Sequence, residues 1–408
     1  MSGSALVTEV PATLRPGEAA DVKWNTVVIG GGPAGAAVAI RLARNGRRVV
    51  VIDRQGMPRP KVCGCCLSSR AGAELRGLGW SADACGRLQA AAPLERVRVV
   101  AAGRSATLPF PGGGVVSREM LDAGLIRMAI DAGAAWLPGG RVTGVEEVFT
   151  GDSGVVIACD LRSGRRVWLR AETAVIATGL ADHVRVRASP PRHVRPGSRI
   201  GVGTTLAADL IDLPPGELVM AVARGGYCGL VRLEDGRIDV AAAVDRRQIA
   251  ACGTIGPAVA GVLGDAAGPA GWLAAVRRSL LDAPMRATPQ LTRSAGTSAG
   301  VSGRILRVGD AAGYVEPFTG EGMGWALTSG RLAAEALLTA TAPAKAYGRS
   351  FGAFAARHHR RCHRVAAVVR HPRLVGAAMR VADAAPGFAA ALLPWLVGAT
   401  AVRGDSSP

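Results

Sequence analysis

The pattern of apolar positions is clearest over residues 24–54. An apolar run from Val27 to Ile29 leads into a glycine-rich turn. An alanine-rich stretch with helical spacing follows until Gly46, and a second apolar run ends at Asp53. Two short apolar runs on either side of a helical segment are typical of two parallel β-strands joined by an α-helix. This span therefore predicts one βαβ unit.

Beyond this unit, some stretches have apolar residues at helical spacing, and others alternate strictly between apolar and polar residues. A helix is predicted over residues 118–133, and a strand at 174–178 is expected to return to the parallel sheet. The last predicted strand, 305–308, precedes a long helix that ends near Thr339. Alternating stretches predict a small antiparallel meander at residues 141–148, 154–161 and 167–170. Five further stretches predict an antiparallel sheet, at residues 94–101, 199–206, 218–223, 228–233 and 237–244.

The turn after Ile29 has the spacing Gly30-x-Gly32-x-x-Gly35. In such a turn the first glycine allows the tight bend, the second lets the backbone approach a pyrophosphate, and the third lets helix pack on strand. The helix N-terminus offers unpaired N–H groups to the anion. An acidic side chain 18 residues after Gly35 can accept hydrogen bonds from ribose hydroxyls. The span predicts a dinucleotide held by Gly30, Gly32, Pro33, Ala34, Gly35, Asp53 and Arg54.

Composition narrows the class of protein. A chain of 408 residues with 49% hydrophobic and 20% charged residues can bury a large core and is expected to hold two domains. The net charge of +18 raises the question of nucleic-acid binding. The positive charge is almost all arginine and is spread along the chain, and aromatic residues make up only 4%. We therefore expect no nucleic-acid partner.

The ends of the chain and its cysteines bear on location. Residues 1–23 lack the pattern of a signal peptide and are expected to form a flexible leader. Eight cysteines without such a signal favour free thiols in a reducing, cytoplasmic setting. Residues 384–402 are uncharged and mostly apolar, but Pro386 and Pro394 interrupt them. A packed pair of terminal helices is expected there, with peripheral membrane contact as the alternative.

A second motif indicates which dinucleotide to expect. It consists of Gly309, Asp310, Pro317, Gly320, Gly322 and Met323. The motif resembles that of the flavoprotein family of geranylgeranyl reductases and group A, aromatic-hydroxylase-like monooxygenases. The resemblance implies that Asp310 accepts a hydrogen bond from the ribityl chain of FAD and that the following helix faces the pyrimidine edge of the flavin, where its unpaired N–H groups would stabilise reduced flavin. The alternative is an ordinary strand–helix turn with a surface aspartate.

The segment from Ser117 to Asp122 resembles the Arg-x-x-Leu-Asp helix start of the same family. The resemblance implies that Arg118 reaches the phosphate and ribityl region of the cofactor, whereas helical spacing equally allows a surface ion pair with Asp122. Ser117 is expected to cap the helix. Hydroxylases of the family have Ala-Asp-Gly where residues 177–179 read Ala-Thr-Gly, and the missing acid weakens the case for an NADPH-driven hydroxylase. NADPH or NADH is a candidate electron donor.

Residues 60–68 resemble the Lys-x-Cys-Gly segment of the reductase branch, which passes beside the flavin ring. Cys63 and Gly64 are expected to line the cavity above the ring, with Cys63 as an acid or a redox thiol as the alternative. Cys65 and Cys66 are expected to pack in the core. No second cysteine or histidine pair completes a zinc or iron–sulfur ligand set, so no metal is predicted.

Residues 226–231 align with the Gly-Tyr-x-Trp-x-Phe-Pro segment of the reductase branch, which forms a wall of the lipid cavity. Tyr227 is retained, but Gly229 stands in place of Trp and Arg232 in place of Pro. The smaller residue is expected to open the pocket, so the isoprenoid substrate of the branch is not carried over directly. Tyr227 is either a substrate contact or an aromatic residue of the sheet.

Residues 353–364 place three histidines among four arginines. His359 and His363 are one helical turn apart, but no carboxylate or further histidine accompanies them. A solvated basic helix face is therefore expected, with contact to anionic lipid as the alternative.

Together these features predict an α/β fold with a three-layer Rossmann-like FAD-binding domain, an antiparallel-sheet substrate domain and a helical C-terminal extension. The FAD-binding domain is expected to be discontinuous. The predicted boundaries are 24–80, 110–185 and 290–342 for that domain, 81–109 and 186–289 for the substrate domain, and 343–408 for the extension.

The predicted function is that of an FAD-dependent oxidoreductase. It is expected to reduce or dehydrogenate a double bond of an apolar or aromatic small molecule at flavin N5. Hydroxylation of an aromatic or polyketide-like substrate by an FAD-dependent monooxygenase is one alternative. Flavin electron transfer at a membrane is the other. No oligomeric state is predicted.

Overall fold

A computed structural model describes residues 8–81, 91–110, 112–149, 153–187, 193–268, 271–294, 303–316, 318 and 320–384. The predictions for Pro317 and for residues 385–402 lie outside this set. In chain order the strands are β1 Lys23–Ile29, β2 Val49–Asp53, β3 Cys66–Ser68, β4 Ala92–Pro93, β5 Arg96–Ala101, β6 Arg104–Pro109, β7 Gly113–Val115, β8 Ala135–Pro138, β9 Gly140–Val148, β10 Gly154–Leu161, β11 Arg166–Ile176, β12 Arg185–Val186, β13 His193–Val194, β14 Ile200–Leu206, β15 Glu217–Ala223, β16 Gly226–Arg232, β17 Ile238–Val244, β18 Arg286–Gln290, β19 Arg293–Ser294 and β20 Ile305–Arg307.

The helices begin and end as follows: α1 Pro16–Asp21, α2 Pro33–Arg44, α3 Ser69–Gly77, α4 Arg118–Asp131, α5 Arg246–Cys252, α6 Ile255–Ala267, α7 Ala274–Asp282, α8 Gly322–Thr339, α9 Pro343–Val369 and α10 Pro372–Ala384.

The first large sheet has the order β12-β9-β10-β11-β1-β2-β8, with β20 on β11. Strands β11, β1, β2 and β8 run parallel, and β9, β10 and β11 form the antiparallel meander. The predicted βαβ unit is confirmed. Its strands β1 and β2 are buried on both faces, as expected of a parallel sheet covered on each side.

Strand β11 corrects the prediction of two separate strands at 167–170 and 174–178. It is one continuous strand with β1 along one edge. Along the other edge β10 pairs as far as Ala171, and β20 pairs from Ala174 onward. Both edges of β11 are therefore hydrogen-bonded along most of its length, which is what keeps so long a strand extended.

This sheet is the middle layer of three, which confirms the predicted fold class. Helices α2, α4 and α8 cover one face and bury a core that includes Ile40, Leu125 and Trp136. The meander and α1 enclose a second core on the other face, around Val27 and Ile157. Helices α2 and α8 approach closely, since a Cβ on Gly330 would lie 2.4 Å from the Ala34 carbonyl oxygen.

The second large sheet has the order β18-β14-β17-β16-β15-β5-β6. Most of its pairs are antiparallel as predicted, but β5 and β15 run parallel, with Val99 opposite Met220. The difference arises because β5 and β15 lie more than a hundred residues apart in the chain, so no hairpin sets their direction. Helix α6 covers one face of the sheet. Helices α9 and α10 contribute to the core on the other face.

The described part of residues 1–23 corrects the prediction of a flexible leader. Val10 is 2% exposed and its N–H donates to the Met57 carbonyl, and Ala19 of α1 is fully buried. Glu18 accepts a hydrogen bond from the Arg15 N–H at 2.6 Å and so caps α1. Trp24 Nε1 donates to the Ala19 carbonyl at 2.9 Å, which fastens the helix to the first sheet.

Helix α9 confirms the predicted solvated basic face for its exposed arginines and corrects it for its histidines. His358 stacks on Trp325 of α8 with ring centroids 4.8 Å apart, and its Nδ1 lies 3.1 Å from a Glu321 carboxylate oxygen. Burial lowers the pKa of His359 to about 4. His363 faces Arg195 at 2.8 Å. The histidines therefore pack inward, and Arg357, Arg360 and Arg364 occupy the outer face.

Among the described helices, none is by itself long and apolar enough to cross a bilayer. Helices α5 and α6 reach that length and composition only as a pair, and the pair is bent by 107°.

Candidate cofactor and substrate site

One cavity of about 680 Å³ connects the two large sheets. It begins at the carboxyl ends of β1 and β2, where ligands bind in open α/β sheets. It passes the segment from Lys61 to Cys66 and ends against strands β14, β16 and β17 of the second sheet. Of the predicted site residues it brings together Gly30, Gly32, Pro33, Ala34, Asp53, Arg54, Cys63, Gly64, Arg118, Tyr227, Gly309, Asp310, Gly320, Gly322 and Met323.

The glycine turn shows a different constraint at each glycine. Gly30 has a φ of +113°, and a Cβ there would lie 2.4 Å from the Ala177 carbonyl oxygen. A Cβ on Gly35 would lie 2.0 Å from the Gly30 carbonyl oxygen, so Gly35 serves packing and does not line the cavity. Above Gly32 the nearest atom to such a Cβ is Arg118 Nη2, at 3.8 Å. The N-terminus of α2 therefore opens onto empty space, which is the cradle that a pyrophosphate requires.

Asp53 is fixed at the end of β2. Its Oδ2 accepts hydrogen bonds from the Gly31 N–H at 2.8 Å and from Arg59 Nη2 at 2.9 Å. The side chain is 5% exposed, so the carboxylate is held between the turn and Arg59. Arg54, the next residue, is exposed and lines the cavity.

Arg118 forms two hydrogen bonds to Asp122, at 2.8 and 2.7 Å. The expected alternative of a surface pair is wrong, because Arg118 is 6% exposed and Asp122 is fully buried. Ser117 Oγ accepts the Met120 N–H at 3.1 Å, which confirms the predicted cap of α4. The ion pair holds the guanidinium beside Gly32 and Cys63 and leaves part of it facing the cavity.

The second motif lies where predicted. Gly309 has a φ of +60°, and its N–H donates to Ser329 Oγ of α8 at 2.8 Å. Asp310 follows at the cavity wall, where burial raises its pKa against the opposing charges of Lys61 and Arg118. The predicted strand and helix are confirmed as β20 and α8.

Lys61 is a cavity residue that the sequence analysis did not assign. Its Nζ would lie 3.3 Å from a Cβ on Gly179, so it occupies the position next to the missing hydroxylase acid. Its side chain is accessible through the cavity. The surrounding protein nevertheless lowers the pKa of Lys61 by desolvation, and Arg118 and Arg59 add to this. A usable signal was present, because Lys61 is one of only three lysines in an arginine-rich chain.

The start of α8 faces the end of the cofactor region that lies away from the glycine turn. Gly320, Gly322 and Met323 line the cavity, whereas the Glu321 side chain is 3% exposed and pairs with His358. Burial raises the pKa of Glu321, but the hydrogen bond and charge of His358 outweigh it and lower the pKa overall. The carboxylate is thus drawn toward α9, and the helix N–H groups are left toward the cavity.

The cysteine segment separates into a cavity residue and two packed residues. Cys63 lines the cavity and is partly exposed, whereas Cys65 and Cys66 are 3% and 6% exposed in the core. A hydrogen bond from Cys65 lowers the pKa of Cys63 to about 6, against the effect of burial and with help from Arg118. Burial raises the pKa of Cys66. In the described part of the chain, no group of three or more His, Cys, Asp or Glu side chains is arranged around a metal position.

Tyr227 lies in the sheet and also in the cavity wall. Its ring meets Phe318 edge-on at 5.0 Å, and Arg199 lies over the ring at 5.5 Å. Arg199 is fully buried and pairs with Glu316 at 3.0 Å, a network that sequence reasoning missed because the two residues are 117 positions apart. Burial raises the pKa of Tyr227 well above its usual range.

Gly229 opens less space than expected. A Cβ on Gly229 would lie 3.2 Å from Met220 Sδ of the neighbouring strand β15. Met220 itself lines the cavity, so its flexible side chain takes up part of the volume that a tryptophan would fill. The wall is apolar here, and Met220, Tyr227 and Phe318 form most of it.

Asp239 of β17 is a further buried group that the sequence did not reveal. It is 9% exposed, and its Oδ2 has no hydrogen-bond partner among the described residues. Burial raises its pKa well above the usual range, and the nearby Cys63 adds to this while a hydrogen bond with Cys65 opposes it. A buried carboxyl therefore lies behind the cysteine segment.

Comparison with known proteins agrees with this geometry. Residues 25–193 match the family model described as FAD dependent oxidoreductase. A menaquinone reductase of Mycobacterium tuberculosis is 30% identical over 358 residues, which are 81% of this chain and 82% of that enzyme. A geranylgeranyl diphosphate reductase of Rhodobacter capsulatus is 33% identical over 170 residues, 40% of this chain and 39% of that enzyme.

Among solved structures, PqsL of P. aeruginosa in complex with 2-aminobenzoylacetate has a TM-score of 0.69 at 19% identity. The match covers 88% of this chain and 99% of PqsL, and it shows a shared fold. The same family is indicated by the cavity, by the two motifs and by the sequence match over most of the chain. The chain belongs to the family of FAD-dependent oxidoreductases.

Proposed function

We propose that the chain adds two hydrogen atoms to a carbon–carbon double bond of an apolar isoprenoid compound, such as a prenylated quinone or a prenyl lipid. The observation that carries this proposal is the position of Cys63 and Gly64, which lie in one cavity with the glycine turn and with the apolar wall at Tyr227. The names of the relatives, a menaquinone reductase and a geranylgeranyl diphosphate reductase, support the substrate class.

The residues present fit FAD. The open space above Gly32 and the free N-terminus of α2 suit the pyrophosphate, and Asp53 is fixed where a ribose would lie. In this proposal Asp310 accepts from the ribityl chain, and Gly320, Gly322 and Met323 face the pyrimidine edge; all four line the cavity. Bound FAD supplies hydride transfer at N5.

The positive groups of the cavity have complementary tasks in this proposal. Arg118, held by Asp122, presents its guanidinium to the phosphates beside Gly32. Lys61 and the helix start of α8 place positive charge near the ring, where reduced flavin carries negative charge. Arg118 and the helix start are fixed before the cofactor binds, so they stabilise the charge without reorganisation.

The substrate end of the cavity has an apolar wall. Met220, Tyr227 and Phe318 offer apolar surface to a hydrocarbon chain, which is stabilised by about 25 cal/mol for each Å² removed from water. Cys63 lies between this wall and Arg118, where its sulfur is within reach of both the cofactor region and the substrate region. It is the side chain best placed to exchange a proton with the substrate.

The test uses the full chain reconstituted with FAD and reduced by dithionite without oxygen. A menaquinone with an unsaturated side chain, dispersed in detergent, is the probe, and the product is analysed by mass spectrometry after exposure to air. A product that keeps two added hydrogens supports the proposal, because a quinol would lose them to oxygen. Oxidation of the reduced enzyme without a saturated product contradicts it, as does a product that has gained an oxygen atom.

The electron donor is tested in the same system. NADH and NADPH are offered in place of dithionite, and bleaching of the flavin absorbance is followed. Because Thr178 stands where hydroxylases of the family have an acid, and Lys61 lies beside that position, we expect both nucleotides to reduce the flavin slowly. Because an apolar isoprenoid substrate resides in a membrane, the proposed function also includes contact of the enzyme with a membrane surface.

A further inference from the structure

Helices α9 and α10 carry charge of one sign. Residues 336–382 contain nine lysines and arginines and no aspartate or glutamate. The whole chain, by contrast, has 49 basic and 31 acidic residues, so this stretch is far more one-sided than the average. Such a run on packed helices creates a local positive field.

The two faces of α9 differ in character. The inner face packs against α8 and the second sheet with residues at a spacing of three or four, among them Tyr347, Phe351, Cys362, Val365 and Val369. The outer face repeats the same spacing with exposed side chains. Its members are Arg357, Arg360, Arg364 and Val368.

The outer face continues past the corner between the helices. Arg373 and Leu374, in the first turn of α10, are exposed. Leu374 is 60% exposed and Val368 is 46% exposed, so two large apolar side chains stand on the surface among the arginines. We call Arg357, Arg360, Arg364, Val368, Arg373 and Leu374 the α9–α10 surface.

Two described acidic groups near this surface are already engaged. Glu321 pairs with His358, and Asp245 pairs with Arg199 and Arg370. Across the parts of the chain that the structure describes, Arg357, Arg360, Arg364 and Arg373 form no ion pair with a carboxylate. Their charge is therefore directed outward.

We propose that the α9–α10 surface docks the enzyme on the anionic leaflet of a lipid bilayer. The arginines would bind lipid phosphates, and Val368 and Leu374 would enter the headgroup region, as in interfacial helices. These two apolar side chains favour a bilayer over an acidic protein partner. The chain also leads from α10 into residues 385–402, which contain no charged side chain.

The surface lies on the opposite side of α9 and α10 from the core that these helices share with the cavity wall. Val365, Val369, Val375 and Met379 on the inner faces belong to the same core as Met220 and Tyr227 of the cavity wall. This inference therefore rests on the proposed function, because an isoprenoid substrate held in the bilayer would be close to the sheet that receives it. Binding to vesicles does not require turnover, so it can be measured separately from the enzymatic reaction.

The experiment is co-sedimentation of the FAD-loaded full chain with vesicles. One set is phosphatidylcholine alone and the other contains about 30 mol% phosphatidylglycerol, each at low and at high salt. The variant R357Q/R360Q/R364Q is compared with a matched control, R47Q/R48Q/R247Q, which removes three exposed arginines elsewhere. A second variant, V368S/L374S, removes the apolar pair. Turnover of detergent-dispersed substrate is measured for all of them.

We expect salt-sensitive binding to the anionic vesicles only. Each arginine near such a surface strengthens binding about fivefold, so the triple variant should bind about a hundredfold more weakly while the control binds normally. V368S/L374S should lose the binding that survives high salt. Equal binding by the triple variant and the wild type would overturn the proposal. So would vesicle binding that is lost equally in the control variant. Normal turnover in detergent with lost vesicle binding separates docking from catalysis.

Discussion

Arg118 and Asp122 form a buried two-bond ion pair, one helical turn apart, directly beside Gly32 of the glycine turn. The pair explains how a guanidinium can remain fixed in a cavity before any anion arrives. Breaking a buried pair by removing one partner leaves the other charge uncompensated.

Asp122→Asn should therefore destabilise the apoprotein by about 3 kcal/mol, because the Arg118 charge then lacks its partner. FAD should recover part of that loss, since its phosphates would face the exposed side of the guanidinium. Thermal unfolding with and without FAD measures both effects. Asp160→Asn is the control, because it breaks an exposed pair with Arg166 and should change neither value. An equal rise of melting temperature with FAD in Asp122→Asn and the wild type would remove Arg118 from the phosphate site.

Gly32 and Gly35 should respond differently to the same added methyl group. Gly35→Ala would place a Cβ 2.0 Å from the Gly30 carbonyl oxygen and should destabilise the fold by about 3 kcal/mol. Gly32→Ala meets nothing closer than 3.8 Å, so the apoprotein should stay as stable as the wild type. Its affinity for FAD should fall at least about tenfold, because the methyl group occupies the approach to the helix start. Calorimetric titration with FAD and thermal unfolding of the apoprotein separate the two outcomes.

The control for this pair is Gly348→Ala in α9, where an added Cβ would have nothing within 4 Å. It should stabilise the protein slightly through the unfolded state and leave FAD affinity unchanged. Loss of stability in Gly32→Ala equal to that in Gly35→Ala would mean that both glycines serve packing alone.

Cys63 should react as a thiolate at neutral pH. Its pKa is lowered to about 6, first by the hydrogen bond from Cys65, so the reactive form should predominate above that pH and disappear below it. Alkylation by iodoacetamide, followed by peptide mass spectrometry across pH, gives the midpoint for this residue. Cys65→Ala should move the midpoint upward by removing that hydrogen bond. Cys66→Ala is the control and should not move it.

FAD should protect Cys63 from alkylation if the segment lies against the flavin ring. The same experiment with holoenzyme therefore tests the predicted placement. Full reactivity in both forms would show that the thiol faces away from the cofactor. A midpoint near the ordinary cysteine value in the wild type would show that Arg118 and Cys65 do not stabilise the thiolate.

The sequence was informative wherever a feature depends on a short stretch of chain. The turn at Gly30, the cap at Ser117 and the start of α8 each need only neighbours within one or two turns, and each lies where predicted. Features that depend on strand register or on distant residues were out of reach. The parallel pairing of β5 and β15 and the pair of Arg199 with Glu316 are of this kind.

Asp239 and Met220 show the same limit inside the candidate site. Asp239 reads as one polar position on an alternating strand, and only the packed structure places it behind Cys65. Met220 stands on a strand next to Gly229, so its effect on the pocket depends on register. Sequence reasoning therefore found the cofactor region more completely than the substrate wall.

The last prediction concerns that wall. Gly229→Trp should destabilise the protein and narrow the pocket, because the new side chain would meet Met220 Sδ, which lies 3.2 Å from the position of its Cβ. Adding Met220→Ala should restore much of the stability by making room, so the two changes should be strongly non-additive. Thermal unfolding of the two single variants and the double variant measures this coupling. The double variant should keep its FAD affinity and show a changed KM for isoprenoid chains of different length, since the tryptophan would stand beside Tyr227. Additive effects on stability, or an unchanged KM for every chain length, would show that Gly229 and Met220 do not shape the substrate end of the cavity.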